Sequence, residues 1–163
     1  MFADGVFPTP SGKVELDSEE AAARWSVERV PGFTEPEEFQ DPDTRQYPLT
    51  FMTPNTKNRI HSQFNNLKMI QEVSPEPVAA LHPLDAVERK IRNGDRVRIY
   101  NARGELTVPV ELDRGMRPGC VSVTNGWWMA DGGAVNLTSR GRETDMGYGA
   151  AFHDNRVQVE RAV

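Results

Sequence analysis

Cysteine is nearly absent. Cys120 stands alone in 163 residues, so a disulfide framework and an all-cysteine metal or iron–sulfur site within the chain are excluded. No apolar run approaches the roughly 18 residues that span a bilayer. The opening MFADGVFPTPSGK has neither the basic start nor the apolar stretch of a secretory signal. Hydrophobic residues reach only 37%, which argues that part of the chain is loose or laid on a surface. Basic residues give no excess: the net charge is −5, unlike that of a generic DNA-coating protein. The length suits one domain, able to bury roughly two thirds of its unfolded surface.

The charge is unevenly placed. Residues 1–45 carry eleven acidic and four basic side chains, a net of −7, against a net of +2 over residues 46–163. The same first segment holds Pro8, Pro10, Pro31, Pro36 and Pro42, a density that breaks helices. It reads as an acidic arm or inter-domain segment, and equally suits a disordered linker. One short helix is expected, capped by Asp17 or Ser18 and running to about Ala23, with Glu19 and Glu20 at its positive end.

From Tyr47 the pattern becomes that of a folded domain. Tyr47 to Thr53 reads as a buried strand. Ile60, Phe64, Leu67 and Ile70 are spaced as one face of a helix. Pro77 to Leu81 reads as a short strand. Pro83 and Asp85 open a short helix that is expected to end near Asn93-Gly94. Val97 and Ile99, then Leu106, Val108 and Val110, alternate on either side of a turn at Asn101 to Gly104, which predicts a hairpin. Cys120 to Asn125 and the alternating RVQVERAV supply two further strands. Short strands, short helices and no βαβ rhythm predict a mainly β small barrel.

Standard motifs fail. Gly147-Tyr-Gly149-Ala-Ala-Phe152 lacks the last glycine of a dinucleotide fingerprint, and Ser11-Gly12-Lys13-Val14 lacks the hydroxyl of a P-loop. His61, His82 and His153 are too scattered for a zinc pair at helical spacing. No Gly-Ser dipeptide occurs, so self-cleavage to a pyruvoyl group, a chemistry of some small-barrel decarboxylases, is excluded. What remains is a set of polar loops at strand ends. Thr53 to Ser62 places Thr, Asn, Lys, Arg, His and Ser side chains at a strand–helix junction, a natural anion seat or a solvated turn. Asn125-Gly126-Trp127-Trp128 offers indoles to a ring system, to the core or to an interface. These loops suit a large, polar, anionic, ring-bearing ligand, and no nucleophile–base pair accompanies them.

The ordered blocks YPLTFMTPNTKNRIHSQFNNL, ALHPLDAVERKIRNGDRVRIYNARGELTVPVEL, RPGCVSVTNGWW, AVNLT and AFHDNRVQVE resemble the C-terminal molybdopterin-dinucleotide-binding domain of the dimethyl sulfoxide reductase superfamily. FPTPSGKVEL resembles the segment leading into that domain in enzymes akin to thiosulfate and polysulfide reductases. The resemblance implies a double-psi β-barrel (aspartate-decarboxylase-like) over residues 46–163. It implies a capping role over bis(molybdopterin guanine dinucleotide) carrying molybdenum or tungsten, with no catalysis by the domain alone. Matched to the family's T-x-x-x-x-x-R-x-H-S segment, Thr53, Arg59, His61 and Ser62 become cofactor-binding candidates. Asn136 comes from the Asn-Leu-Thr block, and Asp154 and Asn155 precede the last strand, where Asn155 departs from the family's frequent lysine. Trp127 and Trp128 match a loop near the cofactor that faces substrate.

Metal ligand and iron–sulfur cysteines are then expected in other domains, and Cys120 is not a metal ligand by position. The implied partners are the remaining domains of one catalytic chain, together with iron–sulfur electron-transfer and membrane-anchor subunits. Nucleic acid and direct membrane insertion are not expected. The residues do not specify substrate or compartment, bacterial or archaeal periplasm or cytoplasm. Two alternatives stay open: a free-standing dinucleotide-binding subunit, as in some formylmethanofuran dehydrogenases, and an interaction barrel that has lost its ligand.

Overall fold

A computed structural model describes residues 3–144, 147–151 and 153–162. Phe152, the last residue of the failed glycine motif, lies outside the described residues. Six strands close into a barrel: β1 (Leu49–Met52), β2 (Ala79–Leu81), β3 (Arg96–Tyr100), β4 (Glu105–Leu112), β5 (Cys120–Val123) and β6 (Arg156–Arg161), in the order β1-β5-β2-β4-β3-β6. The pairs β1/β5 and β2/β4 are parallel, and all other neighbours are antiparallel. The chain must therefore cross the barrel to make each parallel pair, which is the interlocked connection of the expected double-psi barrel. Closure leaves no free sheet edge.

The register explains the core. Phe51 faces Val121, Leu49 faces Val157, Ile99 faces both Leu106 and Val159, and Ala79 faces both Val110 and Val123. All of these are buried, Phe51, Ala79, Ile99, Val121, Val123 and Val157 completely. Period-two alternation sends them inward together, as the hairpin sequence predicts. Burying one such aliphatic or aromatic side chain stabilises the fold by roughly 1.5–3 kcal/mol.

The helices are short. In α1 (Glu19–Trp25) the Ser18 side chain accepts from the Ala21 N–H at 3.1 Å, and no residue of the helix is buried. A second turn, α2 (Glu37–Gln40), is followed by a 3-10 turn at Pro42–Thr44. Two more, α3 (Lys68–Val73) and α4 (Pro83–Glu88), flank β2. In α4 the proline sits at the first position and His82 Nδ1 caps the Leu84 N–H. That helix stops before the expected Asn93-Gly94. Lys90 turns left-handed (φ 56°), its N–H bonds the Val87 carbonyl, and the Ile91 N–H bonds the Ala86 carbonyl. This is a Schellman ending with lysine in the usual glycine place.

The helix expected across Ile60 to Ile70 is corrected. Only the short α3 is helical, and Ile60, Phe64 and Leu67 are exposed. His61 (φ 51°) and Phe64 (φ 73°) are left-handed, a backbone state that ends any right-handed helix. Asn65, just after them, is buried and bonded to Arg59 and Asp131. Here polar tertiary contacts outweigh the apolar spacing.

Candidate functional site

Strand direction decides which loops meet. Because β1 and β5 are parallel, their C-terminal ends share one rim of the barrel. Strand β6 runs antiparallel to β1 and to β3, so the residues entering β6 and the turn leaving β3 reach that same rim. The loops 53–62, 124–128, 101–104 and 153–155 thus converge, joined by a 3-10 turn at Val135–Thr138.

Between the 53–62 and 124–128 loops, the Val135–Thr138 turn and His153 lies a cavity of about 850 Å³, within the roughly 300–1,000 Å³ of sites that hold small molecules and cofactors. Of the residues singled out by sequence, Thr53, His61, Ser62, Trp127 and Asn136 line it. Among the described residues no hydrogen bond engages the side chains of His61, Ser62 or Asn136, so their polar ends remain available to a ligand. The walls are fastened by backbone. The Thr53 N–H donates to His153 Nδ1 at 3.4 Å, and the Asn125 N–H donates to the Pro54 carbonyl at 2.9 Å. Asn125 Nδ2 donates to the Thr53 carbonyl and to Asn55 Oδ1. Its Oδ1 is buried without a partner. An unpaired buried acceptor costs about 1–3 kcal/mol, and a donor group on a ligand would satisfy it.

Gly126 is the tightest point. It is left-handed (φ +82°), and a Cβ there would lie 2.1 Å from the His61 carbonyl oxygen. Only glycine lets the 59–62 and 124–128 loops press together. A distant pairing of this kind leaves no local signal in the sequence.

Arg59 does not line the cavity. It is 5% exposed and stacks its guanidinium on the Trp127 ring at 3.8 Å. It donates to Asn65 Oδ1 and to the Gly126 and Asn125 carbonyls. Asn65 in turn donates to Asp131, which also accepts from the Trp128 N–H. Burial pulls the Arg59 pKa below the usual guanidinium value, and Asp131 partly restores it. The side chain therefore holds the tryptophan loop from behind. The Trp127 indole Nε1–H donates to Thr124 Oγ1 at 3.1 Å; Trp127 is 7% exposed, whereas Trp128 is 52% exposed.

Asn155 is also behind the wall. At 3% exposure it donates to Thr138 Oγ1 at 2.7 Å and accepts from Asn101 and Arg103. Asp154, next to it, is exposed and does not line the cavity. The structure thus brings five of the candidates to the cavity, places Arg59 and Asn155 in its supports, and leaves Asp154 outside. Asn125, Ser139, Arg142 and His153 also line the cavity, beyond the candidates that the sequence points to. Asn125 and His153 were visible as polar residues at strand ends. Arg142 carries no such signal. Among the described residues no three histidine, cysteine or acidic side chains converge to hold a metal.

A model of the family described as "Molydopterin dinucleotide binding domain" matches residues 49–155, from β1 to the entry of β6. The chain belongs to that family. The domain is 34% identical to dimethyl sulfoxide reductase DmsA of Escherichia coli, over 94% of this chain and 21% of that protein. It is 31% identical to the trimethylamine-N-oxide reductase of Haemophilus influenzae, over 95% of this chain and 21% of that one. The chain spans about a fifth of the length of these curated relatives. Among solved structures, acetylene hydratase from Pelobacter acetylenicus shares the fold, with a TM-score of 0.79 and 21% identity over 97% of this chain and 24% of that one. The residues of the cavity fit the molybdopterin dinucleotide that gives the family its name: an unpartnered buried acceptor, open hydroxyl, amide and imidazole groups, an arginine and an indole.

Proposed function

We propose that this domain caps a bis(molybdopterin guanine dinucleotide) in a larger molybdenum or tungsten oxidoreductase of the dimethyl sulfoxide reductase type, and catalyses nothing alone. The observation that supports this most is the convergence of Thr53, His61, Ser62, Trp127 and Asn136 on one cavity at one rim, within a chain of this family. The cofactor, when bound, supplies the oxidation–reduction chemistry. The domain's own residues bind and orient. Ser62 and Asn136 offer hydrogen bonds to ring edges or phosphate oxygens, His61 adds a donor, and Arg142 brings positive charge to the wall. Trp127 gives the wall an aromatic surface, held by Arg59. Covering the site with this rim excludes water from it. Any iron–sulfur cluster, metal ligand, electron-transfer subunit or membrane anchor belongs to other domains or chains in this reading. None of the relatives named above is a formylmethanofuran dehydrogenase, and no observation favours a free-standing subunit.

The test is a titration of the isotope-labelled domain with GDP, followed by amide chemical shifts. The reading expects saturable shifts confined to the 53–62, 124–128 and 135–144 loops. Random or absent shifts at millimolar GDP would count against it.

A further inference from the structure

The arm places a buried carboxylate behind the wall of the cavity. Glu38, in α2, is 2% exposed. Its Oε1 accepts from Arg103 Nη2 at 2.7 Å and from the Arg156 N–H at 2.8 Å, and its Oε2 lies 3.3 Å from Arg140 Nε. Two more acids of the same short segment grip the same loop: Asp41 pairs with Arg140 at 2.6 Å, and Glu37 with Arg142 at 2.5 Å. The segment is braced internally, since Thr44 Oγ1 donates to the Glu38 and Asp41 carbonyls.

The cations it holds are the supports of the cavity wall. Arg103 also donates to the Thr138 carbonyl at 2.6 Å and to Asn155 Oδ1 at 2.8 Å. Asn155 donates to Thr138 Oγ1, and Thr138 closes the 3-10 turn that presents Asn136 to the cavity. Arg140 and Arg142 lie in the segment that follows, of which Ser139, Gly141 and Arg142 line the cavity. A carboxylate so deeply buried is retained only when cations and N–H groups face it. If the carboxylate goes, two guanidinium groups under the wall lose their common partner.

We propose that Glu38 is a positioning residue that latches the cavity wall: the acidic segment 37–41 fixes, through Arg103 and Arg140, the 135–142 loop in its ligand-binding shape. The arm is thus part of the binding site without touching the ligand. The assignment of a ligand rests on the reading above, but the latch itself has a readout that needs no ligand.

The experiment is amide hydrogen exchange on the whole chain, wild type against Glu38→Gln and Arg140→Gln. Arg140→Gln leaves the Glu38–Arg103 pair intact and so protects against simple failure to fold. The reporters are the Leu137 and Ser139 N–H groups, bonded to Ala134 and Asn136, and the Ala151 N–H, bonded to Arg142. The latch expects Glu38→Gln to speed their exchange by roughly tenfold or more, with a smaller effect from Arg140→Gln, while barrel amides such as Val110 N–H change less. Equal acceleration of loop and barrel amides would make Glu38 a general stabiliser and overturn the proposal, as would unchanged loop exchange. A parallel GDP titration separates the two claims. Weaker GDP binding by Glu38→Gln extends the latch to ligand affinity. If wild type ignores GDP while the loop still loosens, the latch stands and the ligand reading fails.

Discussion

The inside of the barrel and the rim that carries the cavity are held by opposite means. Inside, Phe51, Leu81, Ile99, Val121 and Val157 are sealed in one apolar cluster. At the rim, buried polar groups do the holding: Thr53, Arg59, Asn65, Asn101, Thr138 and Asn155, with Glu38 reaching in from the arm. An apolar core tolerates changes of identity if volume is kept. A polar rim tolerates few, because each partner removed strands another. The core therefore sets stability and the rim sets shape, and the residues that line the cavity are mounted on the less forgiving part.

The largest contrast is expected in the core. Phe51→Ala should destabilise by about 3–5 kcal/mol, read by urea unfolding, and any domain still folded should keep its GDP-induced shift pattern. A loss of binding without loss of stability there would reverse the roles assigned to core and rim. Next comes Gly126→Ala, expected to cost about 2–4 kcal/mol, because its Cβ would meet His61 backbone that cannot give way. Gly94→Ala is the control. It shares a left-handed φ of +84° but points into open space, and should cost only about 1–2 kcal/mol. Equal costs at the two glycines would remove the contact between the loops as the explanation.

Arg59→Met should cost about 1–3 kcal/mol, since it removes the stacking on Trp127 and leaves the Asn125 and Gly126 carbonyls and Asn65 without their donor. Tryptophan fluorescence of the folded variant should change as the indole loosens. An unchanged spectrum with weaker GDP binding would instead return Arg59 to direct ligand contact. Asn136→Ala, exposed at the mouth, should leave stability within about 0.5 kcal/mol and weaken GDP binding several-fold.

The smallest effect is one of pH. The Asp43 N–H and Arg140 hold the Asp41 carboxyl below the usual carboxylate range. A depressed pKa means a contribution present at neutral pH and lost as pH falls through that lowered value, under the ordinary aspartate value of about 3.9. Arm docking, followed by an isotope label in segment 37–41, should therefore hold through mild acid and loosen only below that point.

How much of this was legible depended on the kind of force involved. The hairpin β3–β4 and strand β6 follow from alternation of Val97, Ile99, Leu106, Val108, Val157 and Val159, because one buried face imposes a period of two. The rim was half legible. Strand-end chemistry and family resemblance point to Thr53, His61, Ser62, Trp127 and Asn136, and these meet at the cavity. The backing roles of Arg59 and Asn155 were not visible, since which side of a loop a polar residue takes depends on partners far along the chain. The irregular course of Ile60 to Leu67 was hidden by an apolar spacing that imitates a helix. Glu38 was hidden by the acidic, proline-rich composition around it, which reads as solvated chain.

Cofactor binding is read most directly with a pterin–guanine dinucleotide oxidised to a fluorescent form, titrated with the domain and followed by anisotropy. A domain that caps this cofactor gives a saturable rise that excess GDP reverses and that Ser62→Ala with Asn136→Ala greatly weakens. No saturable rise, or a rise untouched by those two substitutions, would contradict it.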